Sequence, residues 1–159
     1  MKIPGRKMED CTEDIYGPDS IGSIRFEFYL QYRSLKAEAW ANTRMCRISV
    51  FSQGIGRRME VRLSVEQWRE LAGFFVASGF RVWDRRYGMN GCSGSVLCWA
   101  VSVMASDGWY YASGDGSYPE GFLPLLENMR MFASSLDQAG SRPISDFLGD
   151  GETATILGS

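Results

Sequence analysis

The clearest pattern in the chain is a strict alternation from Ile24 to Tyr32. Ile24, Phe26, Phe28, Leu30 and Tyr32 interleave with Arg25, Glu27, Tyr29, Gln31 and Arg33. A period of two predicts a strand with one buried and one open face. Leu35 to Asn42 reads as a strand extension or a short helical turn. Met45 to Ser52 reads as a second strand with Cys46, Ile48 and Val50 on one side. Gly54-Ile55-Gly56 predicts a turn. Arg57 to Leu63 then returns as a third strand, with Met59, Val61 and Leu63 inward and Arg58, Glu60 and Arg62 outward.

The period changes at Ser64-Val65-Glu66-Gln67, a capping box with Ser at the N-cap and Gln three residues on. Trp68, Leu71, Ala72, Phe75 and Val76 follow at helical spacing, and Gly79 stands in the usual C-terminal position. A loop over 81–94 precedes Ser95 to Ala105, whose two faces are both apolar, as in a central strand covered on both sides. Asp107-Gly108 is a hairpin signal, and Trp109 to Ala112 pairs back as a fifth strand. Ser117-Tyr118-Pro119-Glu120 reads as a second capping box. The helix behind it carries Phe122, Leu125, Leu126, Met129, Phe132, Ala133 and Leu136 as one stripe. Because proline is tolerated only in a first turn, Pro124 moves the regular start to about Leu123.

The order β-β-β-α-β-β-α with short links predicts an α+β fold. Its mostly antiparallel, five-stranded sheet carries two amphipathic helices packed on one face. Residues 1–21 read as an irregular arm, 22–140 as a single domain and 141–159 as a loose tail.

Composition agrees with one globular domain: 45% of residues are hydrophobic and 23% charged. No run approaches the length of a membrane span, and no signal-peptide core follows the charged, Pro- and Gly-containing start. The expectation is a cytoplasmic protein without membrane contact. Four cysteines, Cys11, Cys46, Cys92 and Cys98, form no C-x-x-C pair. Their even count permits two disulfides, but the favoured reading is packing: Cys46 and Cys98 lie in strands, where a thiol packs as a small hydrophobe, and Cys92 is the exposed candidate.

Charge changes the picture more. The net value of −2 hides a basic middle: residues 44–86 hold nine basic groups, all Arg, against four acidic ones. Residues 87–159 hold two basic groups and eight acidic ones. This asymmetry marks an anion-binding face or two halves that pair with each other.

There is no histidine, which removes Ser-His and Cys-His catalysis and every His-containing metal site. No phosphate loop and no G-x-G-x-x-G after a strand occurs. Gly114-Asp115-Gly116 reads as a turn. Asp107, Asp115, Glu120 and Glu127 each have an ordinary structural role, so paired-carboxylate catalysis is disfavoured. No catalytic residue, metal site or cofactor is expected, and the chain reads as non-enzymatic.

Two binding surfaces stand out. Arg25, Arg47, Arg58 and Arg62 project outward from the first three strands beside Tyr29 and Glu60, with Arg33 on the same face. The loop Trp83-Asp84-Arg85-Arg86-Tyr87 adds Trp83, Arg85, Arg86 and Tyr87. The simplest reading of the arginines is a solvated face with cross-strand charge pairs, and of the loop, that Trp83 and Tyr87 close the core. Next comes a protein-binding face, where Arg and Tyr serve as anchors. Third comes a nucleic-acid or nucleotide surface, against which the acidic pI of 5.2 weighs. A carboxylate- or Cys92-dependent enzyme is last.

The run Trp99-(x)7-Asp107-Gly108, then Gly114-(x)3-Tyr118-Pro119-Glu120-Gly121-Phe122-(x)2-Leu125-Leu126, resembles a pattern in small uncharacterised bacterial proteins. There a D-G hairpin leads through G-x-x-x-Y-P-x-x-F into a terminal helix. The resemblance spans about residues 64–137 and implies a fold but no activity. By analogy of class, a small acidic module without catalytic signature also fits a phage counter-defence inhibitor, such as an anti-CRISPR protein.

Overall fold

The computed structural model describes residues 17–31, 33–52, 54–88 and 97–138. A 3-10 turn at Pro18–Ser20 leads into strands β1 (Ile21–Leu30), β2 (Arg33–Trp40), β3 (Met45–Ser52) and β4 (Ile55–Arg62). Helix α1 (Val65–Ser78) and a second 3-10 turn (Phe80–Val82) follow. Then come β5 (Arg86–Tyr87), β6 (Cys98–Ala105), β7 (Gly108–Asp115) and helix α2 (Phe122–Gln138).

The fold is α+β, and the seven strands form one sheet in the order β4-β3-β2-β1-β6-β7-β5. All pairings are antiparallel except β5 with β7. Seven strands replace the expected five for two reasons. Gln31 takes a positive φ of 57°, so the long alternating run turns there and Arg33 to Trp40 pairs back on β1 as its own strand. Arg33 thereby opens β2 on the side shared with the buried Leu35, Ala37 and Ala39, away from the face expected for it. The seventh strand is the two-residue β5, too short to leave a periodic signal.

The capping box of α1 forms as the sequence predicts: Ser64 Oγ accepts from Gln67 N at 3.0 Å, and Gln67 Oε1 accepts from Ser64 N at 2.8 Å. Gly79 ends the helix at φ 77°, a left-handed conformation that glycine adopts without a Cβ penalty. The expected box at Ser117 does not cap a helix. Ser117 instead presents its carbonyl to the Trp99 indole N–H at 2.8 Å, and α2 starts at Phe122.

Both helices cover one face of the sheet. Phe26 lies 6.4 Å, centroid to centroid, from Phe75 of α1 and 6.0 Å from Phe122 of α2. Ile24, Phe28, Leu35, Ile48, Val101 and Val103 share this buried layer. Burying this much apolar surface is what holds sheet and helices together. The opposite face of β6 is not covered as expected, since Met104 is half exposed.

Candidate functional site

The open sheet face carries side chains in lateral rows fixed by the strand register. One row runs Arg25, Glu38, Arg47, Glu60 across β1 to β4. Its charges alternate and neutralise one another. Arg25 Nη2 lies 2.6 Å from Glu38 Oε2, and Arg47 Nε lies 2.6 Å from Glu60 Oε2. Arg47 also stands 5.3 Å over the Trp40 ring. Arg62, at the end of β4, donates from Nε to the Thr43 carbonyl at 3.2 Å. Three of the five arginines expected on this face are thus engaged locally, Arg25 and Arg47 in the cross-strand charge pairs that antiparallel register favours and Arg62 with a backbone carbonyl.

The next row runs Glu27, Lys36, Ser49, Arg58. Here no hydrogen bond or ion pair joins Glu27, Lys36 or Arg58 to a described side chain. Arg58 faces the hydroxyl-bearing Ser49 and no acid. Tyr29 and Phe51 flank this row and are 50% and 42% exposed, large values for aromatic residues on a strand. A depression of about 730 Å³ lies between them, with Lys36, Ser49 and Arg58 on its walls.

A second hollow, of about 320 Å³, opens where β1, β6, β7 and β5 meet. Tyr29, Tyr87 and Tyr111 line it together with Glu27, Asp115 and Arg86. Arg86 is exposed on β5. Asp115 Oδ1 is buried and meets no hydrogen-bond donor among the described residues. Gly88 is required beside it, because a Cβ there would overlap the Asp115 carboxylate.

The Trp83–Tyr87 loop divides in two. Trp83 packs edge-on against Trp99 at 5.9 Å, and Tyr87 lies 5.8 Å from the same ring. The Tyr87 hydroxyl accepts from Asp84 N at 2.8 Å. These two aromatics close the end of the core. Arg85 and Arg86 remain exposed, and Arg85 stands 5.8 Å over the ring of Trp109. Trp109 is itself 54% exposed and tilts against Tyr111.

Asp107 is held by more than its turn. Arg81 donates to both of its carboxylate oxygens, each at 3.0 Å, and the Tyr110 hydroxyl donates to Oδ2 at 2.6 Å. Arg81 Nη2 also donates to Ser20 Oγ at 3.2 Å. The Arg81 hydrogen bond is the main cause that holds the Asp107 carboxyl down to about 2, and its bond to Asp107 raises the Arg81 guanidinium in turn. This clamp ties three turns of the chain together. Arg81 escaped the sequence reading because its partner lies 26 residues away and no short motif links them. Glu127 pairs with Arg130 at 2.9 Å on α2, and Glu120 is exposed ahead of that helix without the cap expected of it.

Cys46 is a free, buried thiol whose pKa burial pushes up to about 12. Cys98 is disulfide-bonded rather than a packed thiol. It belongs to the outward side of β6, between Tyr29 and Asp115 in register, and not to the helix-covered core. Cys11 and Cys92 lie outside the described residues. Among the described residues no cluster of His, Cys, Asp and Glu could hold a metal ion, and no helix is long and apolar enough to cross a membrane.

The sequence matches no protein-family model and no curated protein.

Proposed function

We propose that the chain is a non-enzymatic protein-binding module whose partner docks across the Tyr29, Phe51, Lys36 and Arg58 region of the open sheet face. One observation carries this reading. The face neutralises its charges along one row and leaves them unpaired along the next, beside two exposed aromatics. Unpaired charge costs nothing in water, but exposed aromatic surface next to it gives a partner both apolar area and complementary charge. Tyr, Trp and Arg are the side chains that most often dominate binding energy.

The test is site-specific photo-crosslinking in cells. A benzophenone side chain placed at Phe51 or Tyr29 should capture one discrete partner. The same group at Val82 or Met131, which are exposed away from that face, should not. Equal capture from all four positions would sink the reading.

A second reading rests on the Lys36-Ser49-Arg58 row. Two cations around a hydroxyl, flanked by Phe51 and Tyr29, suit a phosphate with an adjacent base. It predicts binding to single-stranded oligonucleotides that weakens steeply with salt. Absence of such binding at low salt would dismiss it.

A disulfide persists in oxidising compartments and is reduced in most cytosols. Retention of the Cys98 bond in protein isolated under thiol-blocking conditions therefore separates an exported location from the cytoplasmic one expected from the sequence.

A further inference from the structure

We infer that the free edge of β4 pairs with the same edge of a second copy of this chain, joining two sheets into one across a two-fold axis. The inference does not rest on the docking reading above: it concerns a backbone edge, whereas Tyr29, Phe51 and Lys36 lie on strands further in. β4 stands at one end of the sheet and is eight residues long. An unpaired edge presents a row of N–H and C=O groups that templates pairing with another chain.

The ladder with β3 fixes which groups face outward. Leu63 N donates to Arg44 O at 2.7 Å, one step beyond the Met45–Arg62 pair. Hydrogen-bonded pairs alternate along an antiparallel ladder. The odd-numbered residues of β4 therefore bond to β3, and Gly56, Arg58, Glu60 and Arg62 aim their N–H and C=O groups away from the sheet. All four are exposed, and these backbone groups meet no partner among the described residues. Edges are commonly blunted by proline, a bulge or charge. β4 has no proline and pairs with β3 over its whole length without a register shift. Its charges are self-complementary.

Parity leaves few symmetric antiparallel registers. A two-fold axis at Met59 sets Arg58 opposite Glu60 of the second copy, twice, and uses the strand from Gly56 to Arg62. An axis at Arg58 or at Glu60 sets like charges face to face, which is destabilising. An axis at Val61 pairs Glu60 with Arg62 but overlaps only the end of the strand. The Met59 register also continues a pattern already present in one chain. The row Arg25, Glu38, Arg47, Glu60 ends on an acid at this edge, and the next residue across the axis is Arg58, which faces only Ser49 in its own sheet. On the helix-covered side Met59 meets its own copy, and there Met59 and Val61 are only partly buried within one chain. Pairing removes that apolar surface from water.

The experiment is sedimentation velocity of the full chain over a concentration series from micromolar to near millimolar. The wild type should pass from monomer to dimer. Arg58→Glu and Glu60→Arg each set like charges opposite each other across the axis, and each should weaken the dimer at least about tenfold. Both side chains are exposed, so both variants should fold. An equimolar mixture of the two variants restores opposite charges at both contacts and should dimerise where neither variant does alone. Met59→Cys tests the register independently. Residues facing each other at the axis form a non-hydrogen-bonded pair, whose Cβ atoms come within reach of a disulfide. That variant should cross-link to itself under mild oxidation beyond the wild-type level. A wild type that stays monomeric at every concentration would overturn the inference. So would a dimer indifferent to both charge substitutions, or a mixture of the two variants that remains monomeric. A monomeric wild type leaves the docking face standing, and failed capture from Phe51 and Tyr29 leaves the dimer standing.

Discussion

The row Arg25, Glu38, Arg47, Glu60 and the row Glu27, Lys36, Ser49, Arg58 lie one pleat apart on the same four strands. In the first, every charge has an opposite charge on a neighbouring strand, and two pairs close to 2.6 Å. In the second the alternation breaks at Ser49, which separates Lys36 from Arg58; Glu27 stands opposite Lys36, but neither cation closes an ion pair among the described residues, and Arg58 faces no acid. The backbone, strand length and solvent are shared, so the difference comes from the order of side chains alone. A face that served only for solubility could have paired both rows equally. Exposed aromatics border the unpaired row, and there the surface has something to offer a partner.

The widest version of this contrast sets the helix-covered face against the open one. Phe26→Ala removes a fully buried ring that touches Phe75 and Phe122. It should cost about 3–5 kcal/mol in urea unfolding. Phe51→Ala, on the open face, should cost under about 1 kcal/mol and yet reduce partner capture. Similar stability losses in the two variants would mean that the open face is packed against something as the core is.

Next in size is the Arg81–Asp107 clamp. Arg81→Ala leaves the Asp107 carboxylate and the Ser20 hydroxyl short of a donor and should cost about 1–3 kcal/mol. The pH dependence has a definite sign. The folded carboxyl titrates at about 2, below its ordinary value of 3.8, so the clamp stabilises fully above pH ~4. That contribution drains away as pH falls from about 4 towards 2. An acid-unfolding series should therefore show a slope in that window for the wild type and a shallower one for Asp107→Asn. Parallel curves would show that the clamp is not formed in solution.

Within the paired row, Arg25→Glu places two acids face to face at Glu38 and should lose under about 1 kcal/mol, recovered when Glu38→Arg is added. A double-mutant cycle measures the coupling directly. Zero coupling would make the two rows energetically alike and remove the basis of the contrast.

Much of this architecture can be read from the sequence because it rests on local rules. The alternation at Ile24 to Leu30, the box at Ser64 to Gln67 and the stripe from Phe122 to Leu136 each place a face without knowledge of the rest. The outward set Arg25, Tyr29, Arg47, Arg58 follows from the same parity. What escaped depends on pairing across distance. Which arginines find acids is decided by register, and the register of β1 with β2 turned on Gln31 adopting a left-handed conformation in an otherwise unbroken alternation. Asp115 reads as part of a glycine turn in sequence, and only the approach of Gly88, just after the parallel β5, brings backbone against one of its carboxylate oxygens.

Ser49→Glu makes the smallest structural change and the sharpest comparison. It inserts an acid between Lys36 and Arg58, directly opposite both in register, and so gives the second row the alternation of the first. Cross-strand opposite-charge pairs contribute about 0.2–1 kcal/mol each, and exposure to solvent and salt keeps such gains near the low end. Stability should rise by no more than about 0.5 kcal/mol in low salt and return to the wild-type value in high salt. Crosslinking from Phe51 should fall in parallel, because the two cations are then engaged within the chain. A variant that gains stability and still captures its partner undiminished would show that Lys36 and Arg58 are spectators. The aromatic pair Tyr29 and Phe51 would then carry the contact without them.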